Sequence, residues 1–376
     1  MSQKYIGSLT AMRGLAALWV MLFHIDVSLF YRDMGALVSR DATGLLSKGY
    51  LWVDFFFILS GFVISYIYAD ALQASPRGQH IIDYLWARLA RIYPLHLLCL
   101  GLVVIIALAY PHFVPGVEDG SWKTFMAWRA IPSNLLLTHA MNQHVYLSWD
   151  IVSWSIGAEA WTYVAAVPLL IVLPRLSAGT AFGLAVIAFT GLAAYVLMQK
   201  DATLDITYRW GVVRCLFEFT IGACVWRLWQ ARAIAWWGRD LVLLGLLAGV
   251  VSSFHFKTFG RGGDLVVVPL FAVLVYGLAV ADGAVSRVLN GAVSEYLGRI
   301  SYALYLVHGV AFSAFWFLMP TVKAAIGQAT TVERWLYAAV FITLVIAVSH
   351  LVHCGFEKPV RLFLLGLRKE QPHSAV

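Results

Sequence analysis

Apolar residues fall in long runs, broken by short polar stretches, near residues 8–30, 50–69, 93–111, 150–173, 178–198, 210–230, 239–256, 264–281, 296–318 and 333–355. A helix needs roughly 20 apolar residues to cross a hydrocarbon core, so runs of this length predict membrane spans. The pattern therefore predicts an all-α fold, a polytopic bundle of about ten transmembrane helices. The 112–149 stretch departs from it, because the apolar patches Phe125 to Ala130 and Leu135 to Leu137 are too short to cross. An amphipathic segment at the membrane surface fits them better.

Composition supports that reading. With 61% apolar and 12% charged residues and a mean hydropathy of +0.78, water is excluded as the principal solvent. Ten spans and their connections use up the 376 residues, so residues 1–376 read as a single membrane-embedded domain with a short cytoplasmic tail from 356. The net charge of +7 comes from Lys and Arg scattered through short loops, with no basic stripe. That argues against nucleic acid and leaves anionic lipid and anionic ligands as partners. Cys99, Cys215, Cys224 and Cys354 each sit in an apolar run without CxxC spacing or a neighbouring His pair, so they read as packing residues and no metal is expected. His24 is followed by Ile25-Asp26-Val27 and not by a small-residue cleavage site, so the first helix reads as a retained span. An even number of spans puts both ends on one side, and the bias of Lys and Arg in short loops makes that side cytoplasmic.

Ionisable groups inside spans carry the chemical information, since each costs several kcal/mol unless it is paired or lines a wet cavity. Arg13, His24, Asp54, Glu159, Glu218 and His308 form that set. Arg13 and His24 are eleven residues apart in the first span. At about 100° and 1.5 Å per residue they project on nearly one helix face, about 16 Å apart along the axis. That is comparable to the reach of an extended pantetheine arm, and suits a cytoplasmic thioester donor with an acceptor on the far side. Taken singly, Arg13 also reads as a snorkelling residue and His24 as an interhelical hydrogen-bonding group. Arg88 and Arg91, three apart and just before Pro94, lie on one helix face. They read either as a positive-inside anchor or as a clamp for phosphates such as those of coenzyme A.

A resemblance now rests on these residues. Arg13 followed by His24 resembles the Arg-x10-His motif of the acyltransferase family 3 membrane O-acyltransferases, a bacterial family that modifies polysaccharides and other acceptors. Further matches follow in family order: Val53-Asp54-Phe55-Phe56-Phe57-Ile58-Leu59-Ser60-Gly61-Phe62, Arg88-Leu89-Ala90-Arg91-Ile92-Tyr93-Pro94, Ser153-Trp154-Ser155-Ile156-Gly157-Ala158-Glu159, Ile300-Ser301-Tyr302-Ala303-Leu304-Tyr305-Leu306-Val307-His308 and Phe356-Glu357-Lys358-Pro359. Two positions depart from the pattern. His96 stands where the family often has Tyr, and Gly157-Ala158-Glu159 replaces a stretch that commonly reads Val-Glu-Glu. The chain resembles the stand-alone form, without an esterase-like domain.

The resemblance implies a protein of the cell inner membrane. It would move an acyl group, commonly acetyl, from a coenzyme A thioester to a hydroxyl of a saccharide or glycolipid. His24 would act as general base or as a transient acyl carrier. Asp54, the preferred partner, or Glu159 would hold its tautomer. Arg13, Arg88 and Arg91 would hold the acyl-CoA.

The remaining features have alternative readings. The tryptophans Trp149, Trp154 and Trp161, and Trp226, Trp229, Trp236 and Trp237, read as interfacial belts, while Trp149 and Trp154 also suit stacking on a sugar ring. Gly179-x-x-x-Gly183 and Gly245-x-x-x-Gly249 read as close helix approaches. Ser60 and Ser155 lack a Gly-x-Ser-x-Gly elbow, which argues against a serine hydrolase. His308 reads either as a buried structural partner or as an acceptor-site residue. The rival function is a transporter, or a relay that hands the acyl group to a second enzyme. No inverted repeat of Gly/Pro-broken spans supports the transporter.

Overall fold

A computed structural model describes residues 5–76, 78–114, 117, 120–232, 239–256 and 261–369. Trp236 and Trp237 lie outside these described residues. In chain order the helices are α1 Gly7–Tyr31, α2 Trp52–Ala74, α3 Gly78–Phe113, α4 Gly120–Phe125, α5 Ile131–Leu135, α6 Trp154–Ala165, α7 Val167–Val172, α8 Ala178–Met198, α9 Gly211–Gln230, α10 Asp240–His255, α11 Val267–Val280, α12 Ala284–Leu289, α13 Ala292–Ile326, α14 Thr331–Val352 and α15 Lys358–Lys369. No strand occurs among the described residues, so the fold is all-α.

Each of the ten apolar runs coincides with helix, but fewer pass as spans on length and hydropathy. Among the described residues seven helices are long and apolar enough to cross a membrane, or up to eight if the pair Ile151–Ala165 and Val167–Arg175, bent by 51°, counts as one. Two predicted spans fall short for separate reasons. α9 carries Arg214, Glu218 and Arg227 within its length, which lowers its hydropathy. α10 has only 16 residues, about 24 Å at 1.5 Å per residue against a core of about 30 Å. The segment from 356, expected as a short tail, is helical. After a π-helical turn, His353–Glu357, α15 continues with Pro359 in its first turn, where the missing N–H has no intrahelical role.

Two tight crossings organise the bundle. α1 meets α13 at Gly14 and Gly298, where a Cβ on Gly14 would strike the Gly298 nitrogen and one on Gly298 the Thr10 carbonyl oxygen. α2 meets α9 at Gly61 and Gly222, against the carbonyls of Phe219 and Ile58. Any side chain there would force the backbones apart. The spaced pairs singled out in the sequence do not do this work. Gly183 and Gly245 face open space, Gly179 meets only the Ser177 hydroxyl, and Gly249 makes ordinary contact with Leu270. Most of 120–150 consists of short helices and turns. Trp122, Met126 and Trp149 pack there against Leu100, Val103 and Phe317, in the C-terminal parts of α3 and α13.

Candidate active site

The site starts from α1 and α13. Arg13 Nε donates to Ser301 Oγ (2.8 Å) and Nη2 to the Gly298 carbonyl (2.7 Å), so α13 holds its guanidinium. One helix face further along, His24 Nδ1 lies 2.9 Å from the Val20 carbonyl and 3.3 Å from His308 Nε2. Residue numbers rise together along both helices, so α1 and α13 run parallel, matched at two levels. The imidazole centroids are 5.0 Å apart, and Phe23 and Phe312 pack edge-on against His24 at 4.8 and 5.5 Å. His308 is fully buried, with Nδ1 3.1 Å from the Leu304 carbonyl.

A cavity of about 150 Å³ lies beside Tyr305, lined by Arg13, Ser60, Arg88, Arg91, Glu159, Tyr302 and Tyr305 among others. Glu159 accepts a short hydrogen bond from Ser60, whose hydroxyl also lies 3.2 Å from that of Tyr163. Arg88 donates to the Tyr68 hydroxyl (2.7 Å), and its buried Nε has no partner among the described residues. Arg91 pairs with Glu357 and sits 4.8 Å over the Tyr302 ring. Tyr305 is part of the cavity's lining. Its hydroxyl lies 2.8 Å from Ser155 Oγ, and its ring is 5.4 Å from His308. His24 and His308 do not line the cavity: His308 packs on Tyr305, which does, and His24 packs on His308. Arg13 and Arg91 also line a wider outer space of about 570 Å³, shared with Tyr5, Glu295, Arg299, Lys358 and Arg361.

Arg13, Arg88, Arg91 and Glu159 therefore surround one cavity, and His308 stands beside His24. Asp54 does not join them. Its two carboxylate oxygens accept from Arg214 Nε (2.9 Å) and Nη2 (2.6 Å), and both side chains are buried, at 0% and 1% exposed. Glu218 adds a second carboxylate 3.6 Å from Arg214 Nε. The expected Asp54–His24 contact is replaced by this ion pair, since a carboxylate in the bundle takes the nearest buried guanidinium. The sequence reading missed Arg214. The available signal was its position one helical turn before Glu218, in the same apolar run.

Trp149 and Trp154 are corrected too. Trp149 is fully buried, donates to the Ala127 carbonyl (3.0 Å) and packs on Trp128 at 4.9 Å. Trp154 packs against Phe57 at 6.1 Å and under the Arg214 guanidinium at 5.6 Å. Protein covers both rings, so neither is open to a sugar or to the membrane interface. Trp226 is likewise buried, whereas Trp161 is 40% exposed. The two departures from the family pattern meet at one place. His96 is buried, 2.9 Å from the Asn134 carbonyl and stacked on His139, and a side chain at Gly157 would collide with the Leu137 carbonyl beside that same His139.

Comparison with known proteins identifies the family. A family model described as an acyltransferase domain, that of acyltransferase family 3, matches residues 6–354. The acyltransferase MdmB of Streptomyces mycarofaciens is 28% identical over 392 residues, covering 96% of this chain and 93% of its own. The putative acetyltransferase ORF330 of Acidianus two-tailed virus is 24% identical over 323 residues, covering 82% of this chain and 84% of its own. Protein 2 in the picA locus of Rhizobium radiobacter is 36% identical over 95 residues, only 25% of this chain and 42% of its own. No solved structure matches at a significant level. With a family match over nearly its whole length and helices suited to a membrane, the chain belongs to acyltransferase family 3 and is a multi-pass, membrane-bound acyltransferase.

Proposed function

We propose that this acyltransferase moves an acyl group from a coenzyme A thioester to a hydroxyl, with His24 as general base and His308 as the residue that orients it. The observation carrying this is the His24–His308 contact of 3.3 Å next to a cavity lined by three arginines. Hydrogen bonding sets the tautomers. A proton on His308 Nδ1 donates to the Leu304 carbonyl and leaves the Nε2 lone pair facing His24. A proton on His24 Nδ1 is then shared between His308 Nε2 and the Val20 carbonyl. That leaves the lone pair of His24 Nε2 free to act as base. His308 takes the orienting part that the sequence assigned to Asp54 or Glu159.

The transfer then balances. The acceptor hydroxyl gives its proton to His24 Nε2 while its oxygen attacks the thioester carbonyl carbon. The tetrahedral intermediate collapses, the C–S bond breaks, and the departing thiolate takes the proton from His24. Arg13, Arg88 and Arg91 hold the donor, while Glu159, tied to Ser60, shapes the cavity wall between them. Acetyl is the acyl group we assign, in keeping with the name of the viral relative. A saccharide or glycolipid is the acceptor class, and the arginine-lined end of the bundle is the cytoplasmic one, following the Lys and Arg bias of the short loops.

The test is radiolabel transfer from acetyl-coenzyme A in membranes containing the intact protein, His24→Ala or His308→Ala, with a cell-envelope extract as acceptor. Loss of a general base lowers the rate by about 10²–10⁴-fold, and that is the expectation for His24→Ala. Unchanged transfer by His24→Ala would overturn the assignment.

A further inference from the structure

The outer space beyond Arg13 and Arg91 is charged on one side of the ledger. Arg13, Arg91, Arg299, Lys358 and Arg361 line it, against the carboxylates of Glu295 and Glu357. Both carboxylates are already engaged: Glu357 with Arg91 and His353, and Glu295 with Arg299 at 3.6 Å. Among the described residues Arg13 is held by a hydroxyl and a carbonyl, with no carboxylate on it. Among the described residues Lys358 and Arg361 have no carboxylate partner, and the buried Nε of Arg361 has no hydrogen-bond partner at all. Cations brought together without counter-charge repel one another and favour a bound polyanion. The space is about 570 Å³, within the range of small-molecule sites, whereas the adjoining inner cavity is smaller, about 150 Å³, with eight apolar side chains in its lining beside the polar ones. Arg13 and Arg91 belong to both.

We infer that the outer space holds the phosphates of a nucleotide-bearing thioester, and that Arg361 of the last helix distinguishes such a donor from one without a nucleotide. The inner cavity then takes the thin arm that carries the thioester towards Tyr305. This rests on the acyl-transfer reading above. It adds α15 to the donor site, whereas the family motifs in α1 and α3 supply only Arg13, Arg88 and Arg91. An arginine suits the task because its planar fork binds phosphate through two N–H groups, which one ammonium cannot imitate. An anionic lipid headgroup offers the same phosphate chemistry, so the test separates the two sources.

Full-length protein in nanodiscs of phosphatidylcholine alone, and in discs with added phosphatidylglycerol, would be assayed with acetyl-coenzyme A and with acetyl-pantetheine, which has no nucleotide. Losing a charge-assisted phosphate contact corresponds to about tenfold or more, so Arg361→Gln should raise KM for acetyl-coenzyme A by about that factor with kcat little changed. The KM for acetyl-pantetheine should not move with it. Adenosine 3′,5′-bisphosphate should bind the intact protein, compete with acetyl-coenzyme A, and bind about tenfold more weakly to Arg361→Gln, an effect read without turnover. Bisphosphate that binds both proteins alike, equal KM increases for both donors, or an effect confined to discs with phosphatidylglycerol would overturn the inference and leave acyl transfer standing. Failure of the intact protein to transfer from either donor would overturn the acyl-transfer reading instead, while the bisphosphate measurement still decides the phosphate site.

Discussion

Replacing Arg214 with Met should destabilise the protein much more than replacing Asp54 with Asn, although the two form one ion pair. Arg214 is the cation for two buried carboxylates, Asp54 at 2.6 Å and Glu218 at 3.6 Å. Arg214→Met strands both acids, and removing one partner of a buried pair costs about 3–5 kcal/mol. Asp54→Asn leaves Arg214 with Glu218 and keeps an oxygen for it to bond, so its cost is that of a weakened hydrogen bond, about 1–2 kcal/mol. In a chain this long each kcal/mol moves the midpoint by about 1.3 °C, so Arg214→Met should lower it by roughly 4–6 °C and Asp54→Asn by roughly 1–3 °C. Thermal unfolding of detergent-purified protein, followed by intrinsic fluorescence, reads both. Combining Arg214→Met with Asp54→Leu and Glu218→Leu should recover much of the loss, because apolar replacement of a whole buried ionic group is often neutral or better. If Arg214→Met proves no worse than Asp54→Asn, the three-residue network is not what holds α2 to α9. If the triple variant folds normally but transfers no acyl group, the network has a chemical role as well as a structural one.

Gly298→Leu should part α13 from α1, costing about 1–3 kcal/mol as an overpacked contact, and should raise KM for the donor because Arg13 loses Ser301; unchanged stability and KM would refute the crossing. His139, buried in the 136–150 loop beside Ser133 and Ser153, has its imidazole pushed down from 6.5 to about 4, chiefly by burial and then by the neighbouring His96. The neutral form is thus the folded one, and its contribution is complete above pH 6.5 and lost as pH falls through about 4. That is worth up to about 3 kcal/mol, so the midpoint should drop on acidification, less steeply in His139→Gln; parallel pH curves for the two proteins would count against it.

The helices were legible in the sequence because apolar runs of span length leave the backbone no other way to satisfy its hydrogen bonds in lipid. What those helices face was not. Periodicity within α8 and α10 marks spaced glycines but says nothing about the neighbour, and the close approaches use single glycines paired across chains of residues far apart in sequence. The same limit applies to the site. Arg13, Arg88, Arg91 and Glu159 could be picked out as costly charges, yet the partner of His24 lies 284 residues away and that of Asp54 160 residues away. Depth along a span brought Asp54 level with His24, but rotation about the helix axis decides contact, and rotation follows from packing that one chain's pattern does not encode. Trp149 and Trp154 failed for a related reason: an aromatic near a span end looks interfacial until its ring is seen to fill the core.

The parallel pairing of α1 with α13 acts like two rungs between a pair of rails. One rung joins Arg13 to Ser301 and the other joins His24 to His308, with the glycine crossing beside the first. The rungs are about 16 Å apart along α1 and about 10 Å apart along α13, and together they fix both the stagger and the twist of the pair. A shift of α13 by one residue, about 1.5 Å, would loosen both at once. On the proposed mechanism, the distance from the donor's anchor to the reacting atom is therefore a property of this one pair of helices, and the walls around it could be reshaped for different acceptors without resetting that distance.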